Sequence, residues 1–159
     1  MSTVCDYASL TAEAIMESYE CDIAFYTEKQ AKMRIYEQMI ENDFEKALNN
    51  QEFLVYYQPK VDLATEKVIG AEALVRWKKP DGTVVLPGEF IPVYEKNGQI
   101  EKLDEYVFQK VCQLQKRKLD EREKLLSISV NLSKSSILRD GIAERYIKIA
   151  EENEIPISC

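Results

Sequence analysis

Val68-Ile69-Gly70-Ala71-Glu72-Ala73-Leu74-Val75-Arg76-Trp77 is the stretch that decides the fold. Ile69, Ala71, Ala73, Val75 and Trp77 alternate with Gly70, Glu72, Leu74 and Arg76, the period of a strand with one face against a core. Glu72 stands among Ala71, Ala73, Leu74 and Val75. A carboxylate buried there has to be paired, hydrogen-bonded or metal-bound, because an isolated buried charge is too costly to keep. Period two puts Glu72 and Arg76 on the same face at a separation of ~13 Å, too far for a direct ion pair. The two can serve different parts of one polar site, Glu72 holding a cation and Arg76 a phosphate through its forked donors. They can equally be a structural glutamate with a local partner and an arginine exposed at the strand end.

Outward from this strand, residues 53–63 read as the strand before it, with Gln58 ahead of Pro59 presenting an amide able to read a base or phosphate edge. Lys79-Pro80-Asp81-Gly82 is a turn, followed by residues 83–86 and the stretch Pro87-Gly88-Glu89-Phe90-Ile91-Pro92. A helix is expected near residues 101–119, with Leu103, Val107, Val111 and Leu114 on one face. A strand over 125–130 ends at Asn131, a helix covers 142–153, and residues 155–159 begin a further strand. Ahead of the pattern lie a helix over 3–19, a short strand over 21–26 and a long amphipathic connecting helix over 28–50. Strand and helix in alternation imply parallel pairing with right-handed crossovers, the unit of an α/β barrel or a doubly wound sheet. Ligands collect at the carboxyl ends of such strands, which places Asn131 well for a metal or substrate. Asn is also a common helix N-cap, so a purely structural role stands beside that one.

The chain has 159 residues, 45% hydrophobic and 31% charged, a composition for one ordinary folded domain. A net charge of −7 disfavours nucleic acid polymers and anionic lipid, which call for clustered Lys and Arg. No apolar run approaches the ~18 to 20 residues of a membrane span, and the start lacks the features of a signal peptide. A cytoplasmic location is expected, with a longer protein still able to carry a membrane anchor. Cys5, Cys21, Cys112 and Cys159 are scattered without a C-x-x-C pair and read as buried free thiols. The sequence contains no His, which removes every Ser-His or Cys-His nucleophile pair and every His-based zinc site. Chemistry then rests on carboxylates, amides, Lys, Arg and a hard, oxygen-loving cation such as Mg2+ or Mn2+.

Four segments, Tyr57-Gln58-Pro59-Lys60-Val61-Asp62-Leu63, Gly70-Ala71-Glu72-Ala73-Leu74-Val75-Arg76-Trp77, Pro87-Gly88-Glu89-Phe90-Ile91-Pro92 and Ser129-Val130-Asn131-Leu132-Ser133, resemble the opening half of EAL domains in wording and order. The resemblance implies a modified TIM barrel that hydrolyses cyclic di-GMP to linear pGpG with water activated by Mg2+ or Mn2+. Position by position, Glu72 resembles the first metal-ligating, catalytic carboxylate and Asn131 the metal-ligating amide. Gln58 and Arg76 resemble dinucleotide contacts, with Leu74 lining the same pocket. Tyr94 departs from the family pattern, which has a small residue before the glutamate at Glu95. The family's later E-x-T-E strand, paired Asp residues, catalytic Lys and further Glu and Gln have no counterpart up to Cys159. The expectation is therefore a partial barrel, truncated after roughly its first half, that lacks measurable hydrolysis by itself. A half barrel has two open edges, which invite homodimers. An EAL domain that senses cyclic di-GMP without cleaving it, or serves as a regulatory interaction module, is the alternative.

Val4-Cys5-Asp6-Tyr7-Ala8, then Asp22-Ile23-Ala24-Phe25-Tyr26 and the long helix, resemble the closing elements of a GGDEF domain and its link to an EAL domain. The division expected is residues 1–40 as that remnant and linker helix, and 41–159 as the EAL part.

Overall fold

The computed structural model describes residues 27–156. The helix expected over 3–19 and the strand over 21–26 lie outside them. The chain divides into two compact units, Met1–Ile40 and Glu41–Cys159. The first is represented by the opening turns of helix α1, Glu28–Asn49. Thr27 starts this helix with a reciprocal cap: its hydroxyl accepts from the Gln30 N–H at 3.3 Å, and its own N–H donates to Gln30 Oε1 at 2.9 Å.

The second unit is an open four-stranded sheet with helices on one side. Strand β1, Phe53–Val61, pairs antiparallel with β2, Val68–Lys78. On the other side of β2, the two-residue β3, Val84–Val85, pairs antiparallel, and β4, Ile128–Val130, pairs parallel. All-parallel pairing is thus corrected to one parallel pair. Only residues 62–67 join β1 to β2, and a parallel crossover takes about a dozen or more. Asp62 shapes that turn, its Oδ1 accepting from the N–H groups of Ala64 at 2.7 Å and Thr65 at 3.0 Å. The true crossover runs from β2 to β4 and includes helix α3, Ile100–Asp120.

Two further expectations change. Residues 87–92, read without a helix, open helix α2, Pro87–Asn97. Pro87 fits the first turn, where its missing N–H would have had no partner, and Glu89 Oε1 accepts the Leu86 N–H at 3.0 Å. Gly98 closes the helix in the left-handed region at φ 77. The strand expected over 125–130 shrinks to Ile128–Val130, because Gln115 on α3 competes for the preceding backbone, its Oε1 accepting from the Leu126 N–H at 3.3 Å. Of the last expected strand, Ile155 and Pro156 are not in a strand, and residues 157–159 lie outside those described.

The core has two parts. At one end of the sheet Phe44, Phe53, Trp77, Phe90 and Tyr94 interlock, with Phe44–Tyr94 ring centroids at 4.6 Å and Phe53–Trp77 at 5.4 Å. Trp77 is fully buried and its Nε1 donates to Glu52 Oε2 at 3.0 Å. Under the middle of the sheet Ala73 meets Val107 and Val111 of α3, with Val55, Tyr57, Val75, Ile128 and Val130 around them. Cys112 beside them is a buried free thiol, its pKa pushed up by burial. Helices α4, Lys134–Ile137, and α5, Ile142–Glu152, follow β4. No described helix is long and apolar enough to cross a membrane.

Candidate functional site

Because Val55, Tyr57, Ala73, Val75, Ile128 and Val130 face α3, the alternate residues of the same strands share the opposite face of the sheet. Register makes that face specific. Gln58 of β1 stands opposite Glu72 of β2, and Glu72 stands opposite Ser129 of β4. A row of amide, carboxylate and hydroxyl therefore crosses three strands, the opposed Cβ atoms of the antiparallel Gln58–Glu72 pair ~4.5 to 5.5 Å apart. Lys60, two residues beyond Gln58, donates from Nζ to Ser129 Oγ at 2.7 Å.

Asn131 follows the last residue of β4, and its Nδ2 donates to Glu72 Oε1 at 2.8 Å. Glu72 is half-buried, while Gln58 and Asn131 are exposed. This contact answers the demand for a partner that the apolar setting of Glu72 raised. It also sets a carboxylate beside a side-chain amide, two groups whose oxygens are hard donors of the kind Mg2+ or Mn2+ takes. Among the described residues no group of three or more His, Cys, Asp or Glu stands close enough to hold a metal. The oxygens of Glu72 and Asn131 have the donor chemistry that such a cation takes.

Arg76 shares the face of Glu72, and its Nη1 donates to the Val75 carbonyl at 2.9 Å. Leu74, Arg76, Pro87, Ile91, Asp104 and Asn131 surround a hollow of about 220 Å³ at this end of β2. The structure thus gathers Leu74, Arg76 and Asn131 around one small cavity, joins Glu72 to it through Asn131, and leaves Gln58 one strand away on the open face. A larger hollow of about 580 Å³ lies along β1 and holds none of these five residues. Burial raises the pKa of Tyr57 in its wall, and the nearby Arg117 guanidinium opposes that rise.

Three polar residues of this region escaped the sequence reading. Lys60 and Ser129 sit at period two from Gln58 and Asn131, a signal that marks them as same-face neighbours. Asp104 is 7% exposed on α3, an acid directly after Leu103 on the stripe continued by Val107 and Val111. A lone acid on an apolar stripe was its signal.

An open sheet with helices, in which a carboxylate and an amide meet at the end of its parallel pair, places this unit in the α/β class. The EAL domain model matches residues 41–159, and the chain belongs to that family. It is 34% identical over 103 residues to the bifunctional diguanylate cyclase/cyclic di-GMP phosphodiesterase MucR of Pseudomonas aeruginosa, covering 65% of this chain and 15% of MucR. A cyclic di-GMP phosphodiesterase of the same organism is 31% identical over 115 residues, covering 72% of this chain and 19% of that protein. Among solved structures, the MucR phosphodiesterase in complex with c-di-GMP superposes with a TM-score of 0.67 at 30% identity, covering 74% of this chain and 47% of that one. The FimX EAL domain from Pseudomonas aeruginosa bound to c-di-GMP gives a TM-score of 0.63 at 23% identity, a likeness of fold, over 74% of this chain and 46% of that one. The chain thus spans well under half the length of the curated relatives described.

Proposed function

We propose that residues 41–159 form the opening part of an EAL-type cyclic di-GMP phosphodiesterase domain in bacterial second-messenger signalling, with residues 1–40 as a GGDEF-like remnant and linker helix. The observation that carries this reading is the 2.8 Å contact between Asn131 and Glu72 on a face shared with Gln58 and Arg76. The names of the relatives support the substrate, and the coverage of less than half of the MucR structure supports a partial domain. The parallel β2–β4 pair, connected through α3, is the repeating unit of a TIM-like barrel, and it supports that architecture for the complete domain.

In this reading Glu72 and Asn131 hold Mg2+ or Mn2+, and Gln58, Leu74 and Arg76 contact the dinucleotide. When bound, such a cation lowers the pKa of water and polarises a phosphoryl oxygen. The chain's own residues orient the substrate. Glu72 supplies the catalytic carboxylate, and the Asn131 amide holds it in place across the strand gap. Arg76 offers fork-shaped donors to a phosphate, and Leu74 gives an apolar surface beside it. The net charge of −7 is no obstacle, because attraction of the ligand is local. The outer edge of β1, unpaired among the described residues, is the surface through which two copies associate.

The test is calorimetric titration of the chain with cyclic di-GMP in Mg2+ or Mn2+, with chromatography of the products. Weak, cation-dependent binding without measurable hydrolysis is expected, and Glu72→Gln removes the cation dependence while preserving the fold. Binding indifferent to the cation and to Glu72→Gln overturns the reading; robust turnover by this chain overturns its partial character.

A further inference from the structure

We infer that Asp104 is a positioning residue that fixes where Asn131 stands against Glu72. The inference rests on the site reading above and concerns how this chain's own residues hold that site together.

Asp104 is 7% exposed, on the stretch of α3 that also buries Leu103 and Val107. A carboxylate desolvated to that degree persists only where donors satisfy it. Both of its donors among the described residues come from the segment just after β4. The Ser133 N–H reaches Asp104 Oδ2 at 2.8 Å, and the Ser136 hydroxyl reaches the same oxygen at 2.7 Å. Ser133 adds a second layer, its hydroxyl donating to Ser136 Oγ at 2.9 Å while accepting the Ser136 N–H at 3.2 Å. Ser136 itself is 1% exposed.

Asn131 lies between two fixed points. On one side the β4 ladder ends with Val130 opposite Ala73; on the other the Ser133 N–H is held by Asp104. Only Asn131 and Leu132 bridge them. With both ends of so short a span pinned, the direction in which the Asn131 side chain leaves the backbone is set, and it meets Glu72. Asp104 also forms part of the wall of the hollow beside Asn131. Support of α4 alone is a weak reason to bury an acid on an apolar helix stripe. That helix has four residues, Lys134–Ile137, and a single short turn contributes little stability of its own. Burying an acid is costly until donors satisfy it. Placing a site residue is a function proportionate to that cost, as outer-layer partners of metal ligands commonly are.

The test uses the isotopically labelled full chain without added metal, and follows the Asn131 side-chain NH2 signals, assigned by their loss in Asn131→Ala. Asp104→Asn is expected to shift them in the direction that Glu72→Gln shifts them, and to speed exchange of the Ser133 amide by on the order of tenfold. Ser136→Ala, which removes one donor to the same oxygen and keeps the other, gives a smaller shift in the same direction. If Asp104→Asn does not fold, the Ser136→Ala shift decides, and its absence overturns the inference. Faster Ser133 exchange with Asn131 signals unmoved would make Asp104 merely structural and overturn it equally. Adding Mn2+ to the unmutated chain separates the two ideas: Asn131 signals that fail to broaden refute the metal reading, while the metal-free spectra still decide whether Asp104 positions Asn131.

Discussion

Replacing Gly70 by Ala is expected to destabilise the domain although glycine there occupies no unusual backbone region. A Cβ built on Gly70 would stand 2.4 Å from the Ser127 carbonyl oxygen, where real Cβ atoms essentially never come within 3.0 Å. The neighbour is backbone and cannot swing aside, so β2 and the start of β4 must part. Parting them lengthens the hydrogen bond from the Ala71 N–H to that same Ser127 oxygen, now 2.9 Å. Loss of one such bond costs about 1 kcal/mol. Overpacking strain adds about 1 to 3 kcal/mol, and the reduced entropy of the unfolded chain offsets about 0.4 to 1 kcal/mol. The net loss is about 1 to 3.6 kcal/mol, which lowers Tm by roughly 2 to 14 °C for a chain of this size. Thermal and urea unfolding followed by far-UV circular dichroism measures it, with Gly82→Ala as the comparator. Gly82 has φ 89 and nothing within 4 Å of its added Cβ, so its loss comes from backbone conformation alone. Gly70→Ala as stable as the unmutated chain would refute the claim that glycine sets the β2–β4 spacing.

Tyr106→Phe removes the hydroxyl that donates to the Phe53 carbonyl at 3.0 Å and should cost about 1 kcal/mol in urea unfolding; an unchanged midpoint would contradict that role. Burial raises the pKa values of Tyr94, Tyr106 and Tyr146 above the ordinary 10.0. The folded state therefore holds these phenolic protons more tightly than the unfolded state. Their contribution is fully present below pH 10 and is lost as pH rises above it toward the folded pKa values. Tm measured across that alkaline range should fall as tyrosinate absorbance appears, and a flat Tm would show these rings to titrate as exposed ones do.

The alternation over residues 69–77 was legible because one face of β2 packs on α3 and the other carries Glu72 and Arg76. Helices α1 and α3 were legible from their apolar spacing, and α5 from its place after Gly141. Helix α2 was hidden by Pro87, Gly88 and Pro92, although Phe90, Val93 and Tyr94 carry helical spacing and are its buried residues. Strand direction was misread because counting elements ignores connection length: six residues close a hairpin, whereas the route to β4 contains two helices. Glu72 and Asn131 were each visible as polar residues at revealing points of apolar strands. The resemblance implies that the two converge on one site; their direct hydrogen bond depends on a parallel register that sets Glu72 opposite Ser129. Asp104 shows the same limit, because what satisfies a buried acid is decided by a segment about thirty residues away in sequence and reaches it only through folding.

The measurement that reaches the centre of the account is anomalous diffraction at the manganese edge from crystals of this chain grown with Mn2+ and cyclic di-GMP. A peak with a Glu72 carboxylate oxygen and Asn131 Oδ1 both within about 2.0 to 2.6 Å is the result expected. Manganese bound elsewhere on the acidic surface, with Asn131 Nδ2 still donating to Glu72, would contradict it.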